Sequence, residues 1–253
     1  MLRDDGRGAL IECSSYTLGH NFGDVLRRHA EHYHRLPETA APDSHGAPAH
    51  GGIASAHERV AYKHLVTAAD LVPDAAGRVL FADTLRRADG RQFEIRDYRI
   101  VSANRAQVTL EAAPIDGVVL RKDIALTPQG FHVEYRLDGP AGASLATELN
   151  LAMPSCDGYG GRYRLEDGSF PGGFGQPLAV PDCRALACED AELQGRVWLR
   201  ADAPLAIEGE PHATVSQSEA GLEKIMQGAC LRLRWTAERI RLTLRFERCE
   251  SWL

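Results

Sequence analysis

GVVLRKDIALTPQGFHVEYRLDG, residues 117–139, carries the period of a β-strand twice over. In its second half a pleat puts Phe131, Val133, Tyr135 and Leu137 on one face and His132, Glu134 and Arg136 on the other. Pro128-Gln129-Gly130 supplies a turn between the halves, so the stretch reads as an antiparallel hairpin with one wet face. The same period recurs from Val79 onward in FEIRDYRIVSA, AQVTLEAA, SLATELNLAM, GRVWLRAD, LAIEGE, CLRLRW and IRLTLRFE, with Gly, Pro, Asp and Asn between the runs. Together these runs describe a mostly β fold, an antiparallel two-sheet sandwich.

Upstream of Val79 the period changes. NFGDVLRRHAEHYHRL places Phe22, Val25, Leu26, His29, Tyr33 and Leu36 near i, i+3, i+4, i+7 spacing, which predicts a helix with Asn21 as its N-cap and Asp24 in the acidic capping position. Residues 37–52, PETAAPDSHGAPAHGG, have almost no apolar bulk and predict a flexible loop. SAHERVAYKHLVTAADLV then predicts a second, shorter helix with Val60, Leu65, Val66 and Leu71 buried. The expected organisation is one β-sandwich domain over residues 1–253, opened by a strand and one or two helices at about residues 9–72.

Composition narrows the partners. The chain has 253 residues, 44% hydrophobic and 25% charged, enough to bury a core, and a formal net charge of -6. Its arginines are scattered rather than clustered, so no electrostatic footprint for nucleic acid is expected. No apolar run reaches membrane-spanning length, and MLRDDGRGALIEC has acidic residues where a secretory leader would be basic and then apolar. A cytoplasmic protein with no membrane partner is expected. Six cysteines give neither a disulfide framework nor a zinc spacing, since Cys183 and Cys188 lack a second pair. Buried thiols are expected instead.

Several chemistries lack their residues. His29, His32 and His34 cluster, but on a helix His34 would sit about 200° from His32 and the position after a full turn from His29 is Tyr33, so no metal site is expected. There is no GxSxG elbow and no GxGxxG loop after a strand. Ser216, Ser218 and Glu219 in TVSQSEAGLEKIMQG suggest a nucleophile and base, but no His follows them; their polar groups fit a sheet corner broken at Gly221. No cofactor is called for.

Two further features bear on sugar chemistry. Glu134 and Glu148 lie on successive strand runs with His132 beside the first, and such a pair could serve as acid and base on a sugar. A solvated sheet face is the alternative. Glu148 and Asn150 alternate onto one face of TELNL shortly before Met153–Cys183, a connection with seven Gly, four Pro and the aromatics Tyr159, Tyr163, Phe170 and Phe174. Rings on such a connection either offer flat faces to sugars or form its own small core. The carbohydrate-binding candidates are thus Glu148, Asn150, Tyr159, Tyr163, His132 and Glu134.

The blocks GALIECSSYTLGHNFGDVLRRHAEHYHRL, GGIASAHERV and DAAGRVLFADTL, followed by VVLRKDIALTPQGFHVEYRL and TVSQSEAGLEKIMQG, occur in an order that resembles the C-terminal domain of glycoside hydrolase family 57 enzymes of the 4-α-glucanotransferase/α-amylase type. Asn21, Arg27, Arg28, Tyr33 and His34 fall where that family has an Asn, an Arg-Arg pair and a Tyr-His. The resemblance implies a galactose-mutarotase-like supersandwich. It implies no catalytic pair, because the family carries its Glu nucleophile and Asp acid/base in an N-terminal barrel, and this chain has no βα alternation. Its implied partners are that catalytic domain, in cis or in trans, and an α-glucan or maltooligosaccharide.

Three readings follow: an accessory domain beside a glucan-processing barrel, an autonomous mutarotase-type enzyme using His132, Glu134 or Glu148, and a non-catalytic protein-interaction module.

Overall fold

The structure is a computed structural model, and it describes residues 6–35, 66–156, 160–218 and 221–249. Among these the regular elements are strands and two short 3-10 turns. In chain order the strands are β1 (Ser14–Ser15), β2 (His20–Asn21), β3 (Leu80–Arg86), β4 (Gln92–Glu94), β5 (Tyr98–Ala103), β6 (Gln107–Ala112) and β7 (Val119–Thr127). They continue as β8 (Gly130–Asp138), β9 (Ser144–Ala152), β10 (Gly161–Leu165), β11 (Gly172–Gly173), β12 (Leu178–Asp190), β13 (Gly195–Ser218), β14 (Gly221–Trp235) and β15 (Arg239–Arg248). β1 and β2 pair with each other, and the rest follow the path β4-β3-β9-β14-β13-β15-β8-β7-β6-β5, with β10–β12 attached through β13.

This path closes over itself into two layers. β8 and β9 are separated along it by β14, β13 and β15. Even so, the Tyr135 hydroxyl on β8 donates to Thr147 Oγ1 on β9 at 3.2 Å. Their side chains therefore meet between two facing sheets, the sandwich that the alternation predicts. Leu80, Leu149, Leu231 and Leu233 fill the core from one layer and Val133, Leu186, Ile240, Leu242 and Leu244 from the other, each fully or almost fully buried. At roughly 1.5–3 kcal/mol for each large aliphatic side chain, this burial is the main force joining the layers.

The hairpin of residues 117–139 forms, with Thr127 opposite Gly130 and Val119 opposite Asp138. Phe131, Val133 and Tyr135 are buried on its inner face, while Arg136 is exposed on the outer. Gly130 has φ +154 and sits against the Leu244 carbonyl, so a methyl group there would overlap it. β13 and β14 are likewise divided at Gly221, with φ +112, and Ser218 Oγ donates to the Gly221 carbonyl at 3.2 Å.

Two compact units are present. One comprises residues 1–25, 78–212 and 226–253 and holds the sandwich core. The other comprises residues 26–77 and 213–225. In the second, Asp74 receives the Arg28 backbone N–H at 2.8 Å and the guanidinium Nη2 at 2.9 Å. There too the Tyr33 hydroxyl donates to the Val215 carbonyl at 3.3 Å, and Lys224 pairs with Asp70 at 2.7 Å.

The predicted first helix is absent. Residues 22–31 carry no helix, and only His32–Arg35 form a 3-10 turn. Asn21 belongs to β2, where its Oδ1 accepts from the backbone N–H groups of Cys13 at 3.0 Å and Gly23 at 3.1 Å. Phe22 stacks on Phe246 at 5.1 Å, so the apolar residue that would start the helical face is committed to the sandwich instead. Leu26, the next apolar position, is exposed. The loop predicted at 37–52 and most of the second predicted helix lie outside the described residues. Of that helix the structure describes Val66 onward, where Ala68–Leu71 form a 3-10 turn and the Thr67 backbone N–H and Oγ1 both donate to Asp70 Oδ2 at 2.8 Å.

Candidate functional site

The interior of the sandwich contains an unexpected set of polar groups. Lys122 on β7 lies on the inner face with Leu120 and Ile124, at zero exposure, and its Nζ pairs with the equally buried carboxylate of Asp83 on β3. The same ammonium donates to the carbonyls of Phe81 at 2.8 Å and Gly8 at 2.9 Å. Asp83 also accepts from Tyr98 at 2.7 Å, Tyr135 at 2.9 Å and Thr147 at 2.7 Å. Burial pushes the Lys122 ammonium down, against the opposing pull of Asp83, and pushes the Tyr98 and Tyr135 phenols well up. Sealed from solvent, the cluster ties five strands together and meets no substrate. The sequence signal was a lysine in register with buried leucine and isoleucine.

The outer faces hold the predicted carboxylates. Glu134 is covered by three guanidinium groups, with Arg136 Nη2 and Arg241 Nη2 at 2.7 Å and Arg239 Nη2 at 3.0 Å. Burial alone would raise its pKa, but hydrogen bonds from Arg239, Arg241 and Arg136 outweigh that and lower it from 4.5 to about 2. It is therefore an anion at neutral pH and no proton donor. His132 is half-buried two residues before it on the same face. Glu148 lies between Arg78 at 3.8 Å and Arg232 at 3.7 Å. Its Oε1 accepts from Asn150 Nδ2 at 2.8 Å. Glu148 and Asn150 thus share a face as the alternation predicts, but Asn150 is buried, tied to the Val79 carbonyl at 2.8 Å and to Arg78 at 3.3 Å.

Glu134 and Glu148 are not brought together. Their strand neighbours Tyr135 and Thr147 meet inside the core, so the pleat sends the two carboxylates out on opposite faces of the sandwich. The successive runs that held them in sequence are not paired strands, because β14, β13 and β15 lie between. No substrate can be flanked by both, so of the two options for this pair the acid/base one falls away.

The aromatic connection is also more ordered than its composition suggests. β10, β11 and the start of β12 form within Met153–Cys183, anchored where Asp190 accepts from Ser155 N at 2.9 Å, Ser155 Oγ at 2.7 Å and Glu192 N at 3.0 Å. Tyr163 is fully buried and packs edge-on against Phe174 at 5.1 Å, so its ring faces the core instead of a sugar. Its hydroxyl is buried with no hydrogen-bond partner among the described residues. Phe170 is half-exposed under the Arg162 guanidinium, 4.3 Å from the ring centre. Tyr159 lies outside the described residues. His29, from the histidine cluster, accepts from Arg27 Nε at 3.0 Å, and His32 and His34 flank the Tyr33 ring edge-on.

Comparison with known proteins agrees with this architecture. The chain is 30% identical over 260 residues to a 4-α-glucanotransferase of Thermococcus kodakarensis, covering 94% of this chain and 36% of that protein. It is 27% identical over 267 residues to an α-amylase of Pyrococcus furiosus, covering 95% of this chain and 35% of that one. The chain thus spans about a third of the length of the curated relatives it matches. The crystal structure of 4-α-glucanotransferase from Thermococcus litoralis shares the fold with TM-score 0.66 at 22% identity, covering 98% of this chain and 37% of that one. Residues 1–247 match the family described as alpha-amylase/4-alpha-glucanotransferase, C-terminal, and the chain belongs to that family of C-terminal domains.

Proposed function

We propose that this chain is the accessory β-sandwich of an α-glucan-processing enzyme of the 4-α-glucanotransferase/α-amylase type, packing on a separate catalytic barrel in cis or in trans. The observation that carries the reading is coverage: residues 1–247 match a C-terminal domain, and about two-thirds of each curated relative lies beyond the match. The site geometry supports a role beside catalysis. Glu134 is locked as an anion under three arginines, and Glu148 projects from the opposite face, so neither forms an acid/base couple on a sugar. This takes the Glu134–Glu148 couple away from the mutarotase reading. All six cysteines are free thiols, which supports a reducing, cytoplasmic setting.

The test begins with the genomic sequence around the reading frame, searched for a family catalytic barrel in frame with or adjacent to it. With that barrel produced separately, size-exclusion chromatography of the mixture is expected to show a complex. Two independent peaks at micromolar concentrations would count against an accessory role. Acceleration of glucose or galactose mutarotation by the chain alone would favour the enzyme reading instead.

A further inference from the structure

The inner face of β7 passes from core to solvent along its length. Leu120, Lys122 and Ile124 are buried, but Leu126, next in the same alternation, is 63% exposed. It opens onto a cleft of about 470 Å³ between the β1–β2 turn and the β7–β8 hairpin, within the usual range for small-molecule sites. Phe131, Phe246, Ile124 and Cys13 line its apolar floor. At its rim stands Tyr16, 100% exposed. The two large apolar side chains most open to solvent among the described residues thus line one concavity.

The turn that carries Tyr16 is held in place. Ser15 Oγ accepts from the Leu18 backbone N–H at 3.3 Å, Leu18 is buried, and Gly19 has φ +63. The ring is therefore presented without the cost of ordering a loose loop. Polar groups stand beside it. Ser14 Oγ donates to the Glu12 carboxylate at 3.1 Å. Gln129, also at the cleft, accepts from Arg245 through its Oε1 and carries an amide group able to donate.

We propose that this cleft binds a glucosyl unit of an α-glucan chain, with Tyr16 as the ring platform and Glu12 and Gln129 as hydrogen-bonding groups. A pyranose offers an apolar C–H face and a rim of hydroxyls, which matches an aromatic face beside a carboxylate and a carboxamide over an apolar floor. The proposal rests on the accessory-domain reading for its ligand class, and the cleft differs from the Glu148–Asn150 face, where Asn150 is already buried and fully engaged.

The test is isothermal titration of the whole chain with maltoheptaose, repeated with Tyr16→Ala, Tyr16→Trp and Gln129→Ala. Tyr16 is fully exposed, so its substitution leaves the core intact. Tyr16→Ala is expected to weaken binding about tenfold, Tyr16→Trp to retain it, and Gln129→Ala to weaken it severalfold. Binding that Tyr16→Ala leaves unchanged and Glu148→Ala abolishes overturns the cleft but not the accessory role. No maltoheptaose binding, with Tyr16→Ala instead weakening the complex with the catalytic barrel, makes the cleft a protein-docking surface and overturns the glucan proposal alone. Neither sugar binding nor a barrel complex overturns both.

Discussion

Asp83 on β3 and Lys122 on β7 form an ion pair at the centre of the sandwich with both side chains at zero exposure. Removing Lys122 leaves the Asp83 charge buried with three neutral hydroxyl donors but no counter-ion, so Lys122→Met is expected to destabilise the fold by about 3–5 kcal/mol. The exposed pair Arg96–Glu94 provides the contrast, and Glu94→Ala is expected to cost less than about 1 kcal/mol. Urea unfolding of the three proteins measures both. A loss below about 1 kcal/mol for Lys122→Met would show that the pair does not hold the layers.

The arginine cover on Glu134 predicts a pH dependence. Its folded pKa of about 2 lies below the ordinary 4.5, so its stabilising contribution is complete above pH 4.5 and is lost as pH falls towards 2. The three arginines are half-exposed, which reduces the full shift to a contribution on the order of 2 kcal/mol. Glu134→Gln is expected to lower stability at pH 7 and to flatten the decline between pH 5 and pH 2. An unchanged acid limb in thermal melts would contradict the arrangement.

Tyr163 separates a structural aromatic from a sugar platform. Its hydroxyl is buried without a partner among the described residues, and burial pushes the phenol pKa up. Tyr163→Phe is therefore expected to be neutral or stabilising by about 1 kcal/mol, with glucan binding unchanged. A loss of maltoheptaose affinity in this variant would return Tyr163 to the surface.

What was legible in the sequence was what depends on local period. The alternation of Phe131, Val133 and Tyr135 required a sheet with one inward face, and that face is the core. The shared face of Glu148 and Asn150 was readable for the same reason. The failures involve distant partners. Asn21 and Phe22 fit a helix start by spacing, and their neighbours in sequence cannot reveal the Cys13 amide or the Phe246 ring that claims them. Glu134 and Glu148 looked paired because their strands follow one another, whereas strand order inserts three others between them. Tyr163 lay among glycines that hid the short strand carrying it. Lys122 was readable in principle, since it stands in the buried register between Leu120 and Ile124.

The division of labour between this sandwich and a catalytic barrel is open to direct measurement. Transfer of glucosyl units from maltotriose, followed by chromatography of the products, measures it directly with the barrel lacking residues 1–253, this chain alone, and the two mixed. Longer maltooligosaccharides are expected from the mixture at a higher rate or with greater thermal persistence than from the barrel, and none from the chain. Transfer by the chain alone, or a mixture no different from the barrel, would contradict it.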